Sequence, residues 1–432
     1  MRILILGGYG LIGLAIAARL HAAGHTVTGL GRRAGLGVKL LPRVNWLSAD
    51  IATLQTPENW RPYLANIDIV INAAGALQEG PADHLTLIHE TAIVALLRCC
   101  EADGVSGFIQ ISAPGATREA STAFMRSKAG ADSAIKASPL NWIILRPGLV
   151  IGSNAYGGSA LLRMLAAVPI IQPLALAEKR IQTVALSDVT LMVQLFVEKK
   201  LAPRVDLDLV EDESHTLAEV VGHFRSWLGI PPAWAHISAP RWAVYAVATV
   251  ADGLGYLGWR SPLRSTAMRA LEAEIIGDPM PLRARRNTGL SSLADTLAAM
   301  PATVQERWFA RLYLLLPIAV ATLSVFWLAT GFIALFDIER AATVLANTPL
   351  SKSMAQALVV GGAALDIILG GAILYRPWAK SACVGMVVLT LAYLVSGTVL
   401  TAALWLDPLG PFVKVLPSMV LALTVASILE NR

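Results

Sequence analysis

The residues best equipped for chemistry lie in STAFMRSKAG, residues 121 to 130. Phe124 and Lys128 are four residues apart, which puts an aromatic ring and an ammonium on one face of a helix. This is the spacing of a YxxxK catalytic helix with phenylalanine in the tyrosine slot. A phenyl ring has no ionisable proton, so general acid–base catalysis, ordinarily worth about 10²- to 10⁴-fold, is unavailable from that position. Lys128 still offers the three hydrogen-bond donors of an ammonium. Ser112 closes GFIQIS twelve residues before Phe124 and is the second polar candidate.

Such a helix acts only if other elements deliver a nucleotide to it. From residue 1 to about 240, short apolar runs alternate with helical patterns, as in a doubly wound parallel sheet covered on both faces, a Rossmann arrangement. RILIL (2 to 6), HTVTGL (25 to 30), VNWLS (44 to 48), IDIVIN (67 to 72), GFIQIS (107 to 112) and NWIILR (141 to 146) read as six strands. LIGLAIAARLHAAG and HLTLIHETAIVALLRCCEADG have helical apolar spacing and end at glycine, as crossover helices do. IQTVALSD (181 to 188) and VDLDLV (205 to 210) are expected as further short strands, with helices near 187 to 199 and 216 to 228, in a small C-terminal lobe. The acidic run Glu211, Asp212, Glu213 reads as a solvated loop there.

After the first strand, GGYGLIG sets Gly7, Gly10 and Gly13 at GxxGxxG spacing immediately before a helix. Residues without Cβ let backbone approach a pyrophosphate, whose charge then meets the amides and positive dipole of the helix N-terminus. Gly7, Gly8, Tyr9, Gly10, Leu11, Ile12 and Gly13 are therefore candidate binding residues. A cofactor with a free ribose 2′-hydroxyl would call for Asp or Glu after the second strand. The chain has GLGRRAG instead, and Arg32 and Arg33 suit a 2′-phosphate. NADP(H) is expected in preference to NAD(H).

GGYGLIG, Asp50-Ile51 after the third strand, NAAG at 72 to 75 and LRPGLVIG at 145 to 152 occur in order, and residues 1 to about 230 resemble an atypical or extended short-chain dehydrogenase/reductase. The resemblance implies that Asp50 and Ile51 contact the adenine and that Ala73, Ala74 and Gly75 lie beside the adenosine ribose and pyrophosphate. It implies that Pro147, with Gly148, shapes the nicotinamide end. Ser112 would polarise a carbonyl, and Lys128 would hold the ribose and, in relatives, lower the tyrosine pKa. FMRSKAGAD is also similar to the corresponding segment of the dehydrogenase-like accessory subunit of respiratory complex I, a relative associated with nucleotide binding rather than turnover. Tyr156, in the NAYGG loop, is the nearest substitute proton donor in sequence, or else a loop residue packing on the small lobe.

The rest of the chain belongs to a membrane. Of 432 residues 55% are hydrophobic and only 15% charged, too apolar for a soluble protein of this size. Residues 312 to 336, 353 to 375, 381 to 406 and 408 to 429 read as four spans, the last interrupted by Pro417. Arg307 and Arg311 precede the first span, Arg376 and Lys380 occupy the second turn, and WLDPLGP in the third loop carries no cation. Arg340 and Lys352 in the first loop are balanced by Asp337 and Glu339. The dinucleotide domain and both termini are thus expected on the cytoplasmic side of an inner membrane. Residues 307 to 432 resemble DoxX-like four-helix domains. Residues 241 to 306 are read as an interfacial helix and basic linker, with WAVYAVATVADGLGYLGW (242 to 259) between Arg241 and Arg260 read as an interfacial or re-entrant helix in preference to a span or a buried helix of the first domain.

A net charge of +5, with no dense basic block, suits anionic lipid rather than nucleic acid. The seven histidines lack HxxxH or HExxH spacing, and Cys99, Cys100 and Cys383 lack CxxC spacing, so neither a metal nor a disulfide framework is expected. MRILILGGYG is read as structure rather than a signal peptide. Asp366, in GGAALDIILGG, either works inside the membrane or is paired within the bundle, with Lys414 an available cation. Small residues at 361, 362, 370 and 371 would allow close helix approach. Three functions follow from the resemblance: a membrane-anchored oxidoreductase for a hydrophobic, quinone- or lipid-like substrate, an inactive NADP(H)-binding sensor or assembly subunit of a membrane protein partner, or an inert scaffold, which would not need the whole cofactor constellation.

Overall fold

The structure, a computed structural model, describes residues 1–75, 84–259, 261, 263–346 and 348–429, with no side chain for Arg241 or Ala270. Arg260, read above as a flanking charge, lies outside the described residues. Contacts divide the chain into two units, Met1–Val250 with Pro262–Arg307, and Ala251–Ser261 with Trp308–Arg432.

The first unit is built on six strands close to those read from the sequence: β1 (Arg2–Leu6), β2 (Thr26–Gly31), β3 (Asn45–Ser48), β4 (Ile69–Asn72), β5 (Gly107–Ile111) and β6 (Trp142–Pro147). A seventh strand, Val205–Leu209, joins the same sheet beside β6, so the order is Val205–Leu209, β6, β5, β4, β1, β2, β3. All six pairings are parallel. Placing VDLDLV in a separate lobe was incorrect. Its alternation buries Val205, Leu207 and Leu209, while Asp206 reaches Arg146 on β6, as befits an edge strand guarded by charge.

Period-two alternation makes two cores from one sheet. Ile3 and Ile5 pack with Ile16, Leu20, Val189 and Met192 on one face. Leu4 and Leu6 pack with Trp60, Leu96, Phe108 and Ile135 on the other. The chain moves outward from β1 to β3 and returns to β4 on the far side of β1, so the carboxyl ends of β1 and β4 flank the switch point at which such sheets bind ligands.

Three short strand pairs follow: Leu149–Ile151 with Thr183–Ala185, Arg180–Ile181 with His215–Thr216, and Ile171–Leu174 with Ala235–Ser238. The helices Leu186–Val197 and Leu217–Trp227 fall where the sequence put them. Glu211 corrects the solvated-loop reading. It is 1% exposed and accepts the Thr183 amide at 2.8 Å, the Thr183 hydroxyl at 2.6 Å and the Leu293 amide at 2.7 Å. Those donors are 28 and 82 residues away, which is why a local reading missed them. Asp212 and Glu213 are exposed as expected.

Among the described residues, four helices are long and apolar enough to cross a membrane: Val304–Phe336, Lys352–Ala372, Arg376–Leu400 and Pro411–Ile428. The fourth breaks between Lys414 and Leu416, with Pro417 in the first turn of the second piece, where a missing N–H costs no helical bond. Asp366 is held not by Lys414 but by Tyr393, whose hydroxyl donates at 2.9 Å, and by Thr330, whose hydroxyl donates at 3.2 Å. A Cβ on Gly362 would meet the Tyr393 hydroxyl and one on Gly370 the Leu328 backbone, whereas Gly361 and Gly371 face open space. Two of the four small residues therefore serve close packing. Residues 242 to 259 form the helix Arg241–Tyr256 and a turn, with Trp242 76% exposed and the Trp259 indole donating to the Leu374 carbonyl at 2.7 Å.

Candidate functional site

The glycine turn follows β1 directly. Gly7 has φ +68°, and a Cβ there would lie 2.8 Å from Ala74 Cα and 2.9 Å from the Ala73 oxygen. The turn thus rests on the loop after β4, at the switch point. Gly13 packs on the Gly7 carbonyl, so the Leu11–Ala22 helix starts against the turn with no room for a methyl group. Gly10 caps this helix without a side chain, and its first turn holds no acidic residue. The amides of Leu11, Ile12 and Gly13 have no intrahelical acceptor, and together with the Cβ-sized clearances they make a cradle for an anion. These residues fit the pyrophosphate of a dinucleotide.

Tyr9 ties the cradle to the basic loop. Its ring lies over Gly31 at the end of β2, and its hydroxyl accepts the Arg33 amide at 3.3 Å. Ser48 donates to the Arg32 carbonyl at 3.1 Å, and both arginines are exposed. Asp50 ends the loop after β3 and accepts the Ala52 amide at 3.1 Å, while Ile51 is buried. On the other side, Asn72 accepts the Ala74 amide at 3.1 Å and donates to Gln110 at 2.8 Å, which fixes the course of Ala73–Gly75.

The Ala123–Ala137 helix begins at Thr122, whose hydroxyl accepts the Met125 amide at 3.3 Å. Lys128 is 4% exposed and donates to the Ile111 carbonyl at 2.9 Å and the Ala74 carbonyl at 3.2 Å. It therefore bridges the carboxyl ends of β5 and β4. Burial pushes its pKa down to about 8, with Asp132 opposing. Phe124 stands edge-on to His89, ring centroids 5.5 Å apart. His89 Nδ1 is 2.9 Å from the Ser127 hydroxyl, and burial, reinforced by Lys128, holds the imidazole well below the usual histidine range.

Ser112 is not an isolated hydroxyl. It donates to Asp132 Oδ2 at 2.6 Å, and the same oxygen takes Arg146 at 2.8 Å. Arg146 continues to Asp206 at 2.7 Å, and Asp206 to the half-exposed Lys136 at 2.6 Å. Burial raises the Asp132 pKa against the pull of Arg146, Ser112 and Lys128. Pro147 ends β6 opposite Leu209, and Gly148 beyond it has a Cβ position filled by the Gln182 carbonyl. Tyr156 is apart from this cluster: it is 49% exposed, and its backbone amide and carbonyl both bond the Ser159 hydroxyl.

Sequence reasoning missed His89, Asp132 and Arg146. Asp132 was within reach, since it follows Lys128 by one helical turn. His89 gave no signal, because it sits in a π-helical turn, Leu87–Thr91, where the ordinary helical period does not apply.

Comparison with known proteins agrees with this architecture. Residues 7–161 match the NAD(P)H-binding family, and residues 324–423 match the DoxX-like family. None of the curated proteins matches the chain. Among solved structures, the Bordetella bronchiseptica enzyme WbmG in complex with NAD is 16% identical with a TM-score of 0.53, over 69% of this chain and 92% of that one. WbmH from the same organism, in complex with NAD+, is 15% identical with a TM-score of 0.52, over 72% and 98%. The dTDP-glucose 4,6-dehydratase of Bacillus anthracis, in complex with NAD, is 14% identical with a TM-score of 0.53, over 71% and 96%. At these identities the likeness is one of fold. The chain carries an NAD(P)-binding Rossmann domain followed by a C-terminal DoxX-like domain, the pairing its motifs resembled.

Proposed function

We propose that this chain is a membrane-anchored oxidoreductase of short-chain dehydrogenase type that binds NADP(H) at the cytoplasmic face of an inner membrane and acts on a hydrophobic, quinone- or lipid-like substrate. The observation that carries the nucleotide is the Gly7 backbone resting on Ala73–Ala74 beside an uncapped helix N-terminus. Gly7, Gly8, Tyr9, Gly10, Leu11, Ile12 and Gly13 would hold the pyrophosphate, Asp50 and Ile51 the adenine end, and Ala73, Ala74 and Gly75 the ribose side. Arg32 and Arg33 would meet a 2′-phosphate, since no carboxylate stands in that loop to repel it. Lys128, pinned between two strand ends, would present its remaining donor capacity to a ribose, and Pro147 would border the nicotinamide. When bound, the dinucleotide supplies hydride transfer. Ser112 and, in the exposed NAYGG loop, Tyr156 are the hydroxyls offered for substrate polarisation.

The second reading is an inactive NADP(H) sensor or assembly subunit for a membrane protein partner. Phe124 favours it, and so does the engagement of both Lys128 and Ser112 with protein groups. The two readings part on NADPH consumption by the purified wild-type protein with quinone and aldehyde panels. Consumption supports the oxidoreductase, and binding without consumption supports the sensor.

A further inference from the structure

If the site turns over, some group must hold the proton that Phe124 cannot. The Ser112–Asp132 pair has the geometry for it. Asp132 is 2% exposed and uses only one of its oxygens: Oδ2 accepts from both Ser112 and Arg146, while Oδ1 is buried and has no hydrogen-bond partner among the described residues. A buried ionised carboxylate with one oxygen left bare is costly. Protonation on Oδ2, the oxygen that Ser112 already bonds, is not under the same strain, because the Arg146 contact at that oxygen can pass to the bare Oδ1. The Ser112 proton thus has an acceptor 2.6 Å away, and the carboxyl has a second oxygen with which to keep the Arg146 pair.

We propose that Ser112 and Asp132 form the proton-holding pair of this site, with Ser112 touching the hydroxyl or carbonyl oxygen of the substrate and Asp132 acting through it as a positioning residue. This rests on the dinucleotide reading of the site. In alcohol oxidation the substrate O–H would give its proton to Ser112 Oγ as the serine passes its own proton to Asp132 Oδ2. The hydride goes to the oxidised nicotinamide, leaving a carbonyl product. In reduction the same protons return along the same two atoms. The groups facing Asp132 are Ser112 at the end of β5, Arg146 on β6, Lys128 on its own helix and Asp206 on the Val205–Leu209 strand. Arg146, Asp206 and Lys136 then form a charged row leading to the half-exposed surface. Burial of Asp132 raises its pKa against the pull of Arg146, Ser112 and Lys128, which eases proton uptake by this carboxylate.

The test has two arms on the full-length protein. Infrared pH-difference spectra of the nucleotide-free protein are expected to contain a buried carboxylic-acid carbonyl band that is missing from Asp132→Asn and present, displaced, in Asp132→Glu. NADP+-dependent oxidation of a panel of long-chain secondary alcohols is expected to lose about 10²-fold or more in kcat in Asp132→Asn. Its KM should change less than about threefold, its rising limb with pH should be lost, and part of the activity should return in Asp132→Glu. A wild-type spectrum without that band, or an Asp132→Asn variant with wild-type kcat and pH profile, overturns the pair. Wild-type protein that binds NADP+ but oxidises none of the panel also overturns it, whereas failure to bind NADP+ or NADPH overturns the dinucleotide reading itself.

Discussion

The ring of Phe124 meets His89 edge-on, with centroids 5.5 Å apart and planes at 82°. The slot that would hold a catalytic phenol is therefore packed against a neutral imidazole, and any chemistry at the proposed site falls to the groups around this ring rather than to the ring itself. Phe124→Tyr is expected to leave NADPH affinity within about threefold and, because a proton carrier here is worth about 10²- to 10⁴-fold, to raise turnover. Parallel binding and NADPH-consumption assays check both halves.

Gly7 combines a left-handed φ of +68° with backbone 2.8 Å from where a Cβ would sit. Gly7→Ala should cost about 1–3 kcal/mol of stability in the first unit and weaken NADPH binding at least about tenfold. Thermal unfolding and a binding titration of the variant measure these separately.

Arg32 and Arg33 carry the expected cofactor preference. A hydrogen bond to a charged group contributes about 1.5–3 kcal/mol, so the double variant Arg32→Ala, Arg33→Ala should lose about tenfold or more in NADPH affinity. NADH affinity should stay within about threefold, and comparison of the two titrations decides.

Lys128 links stability to pH. Its folded pKa is about 8, below the ordinary value of 10.5, so between these limits the unfolded chain binds more protons and stability rises with pH. Below pH 8 both states are protonated, and the burial penalty is constant. The stability of wild type minus that of Lys128→Met should therefore grow by on the order of 2 kcal/mol from pH 8 to 10.5. Denaturation of the full-length proteins in detergent across this range measures it.

Orientation can be read chemically, because Cys99, Cys100 and Cys383 are all buried. With a membrane-impermeant maleimide added to intact cells, Asp407→Cys is expected to label and Lys380→Cys is not. The opposite pattern would reverse the proposed cytoplasmic placement.

Much of the first unit was legible because its signals are local. Six apolar runs gave six strands, and GGYGLIG named the turn that packs at the switch point. The four spans were legible because length and absence of charge decide them. What escaped depends on partners distant in sequence. Val205–Leu209 joins the sheet through pairing with β6, Glu211 is buried by donors from residues 183 and 293, and Asp366 draws its hydroxyls from two other helices. Ser112 was legible as a hydroxyl, but Asp132, which alters what that hydroxyl can do, is twenty residues away.

The central claim is that the first unit binds a phosphorylated nicotinamide dinucleotide. Calorimetric titration of the full-length protein with NADPH and, separately, with NADH tests it most directly. The account predicts saturable binding at a single site, tighter for NADPH than for NADH, and abolished or much weakened in Gly7→Ala. Absence of binding by either nucleotide to folded wild-type protein would contradict it.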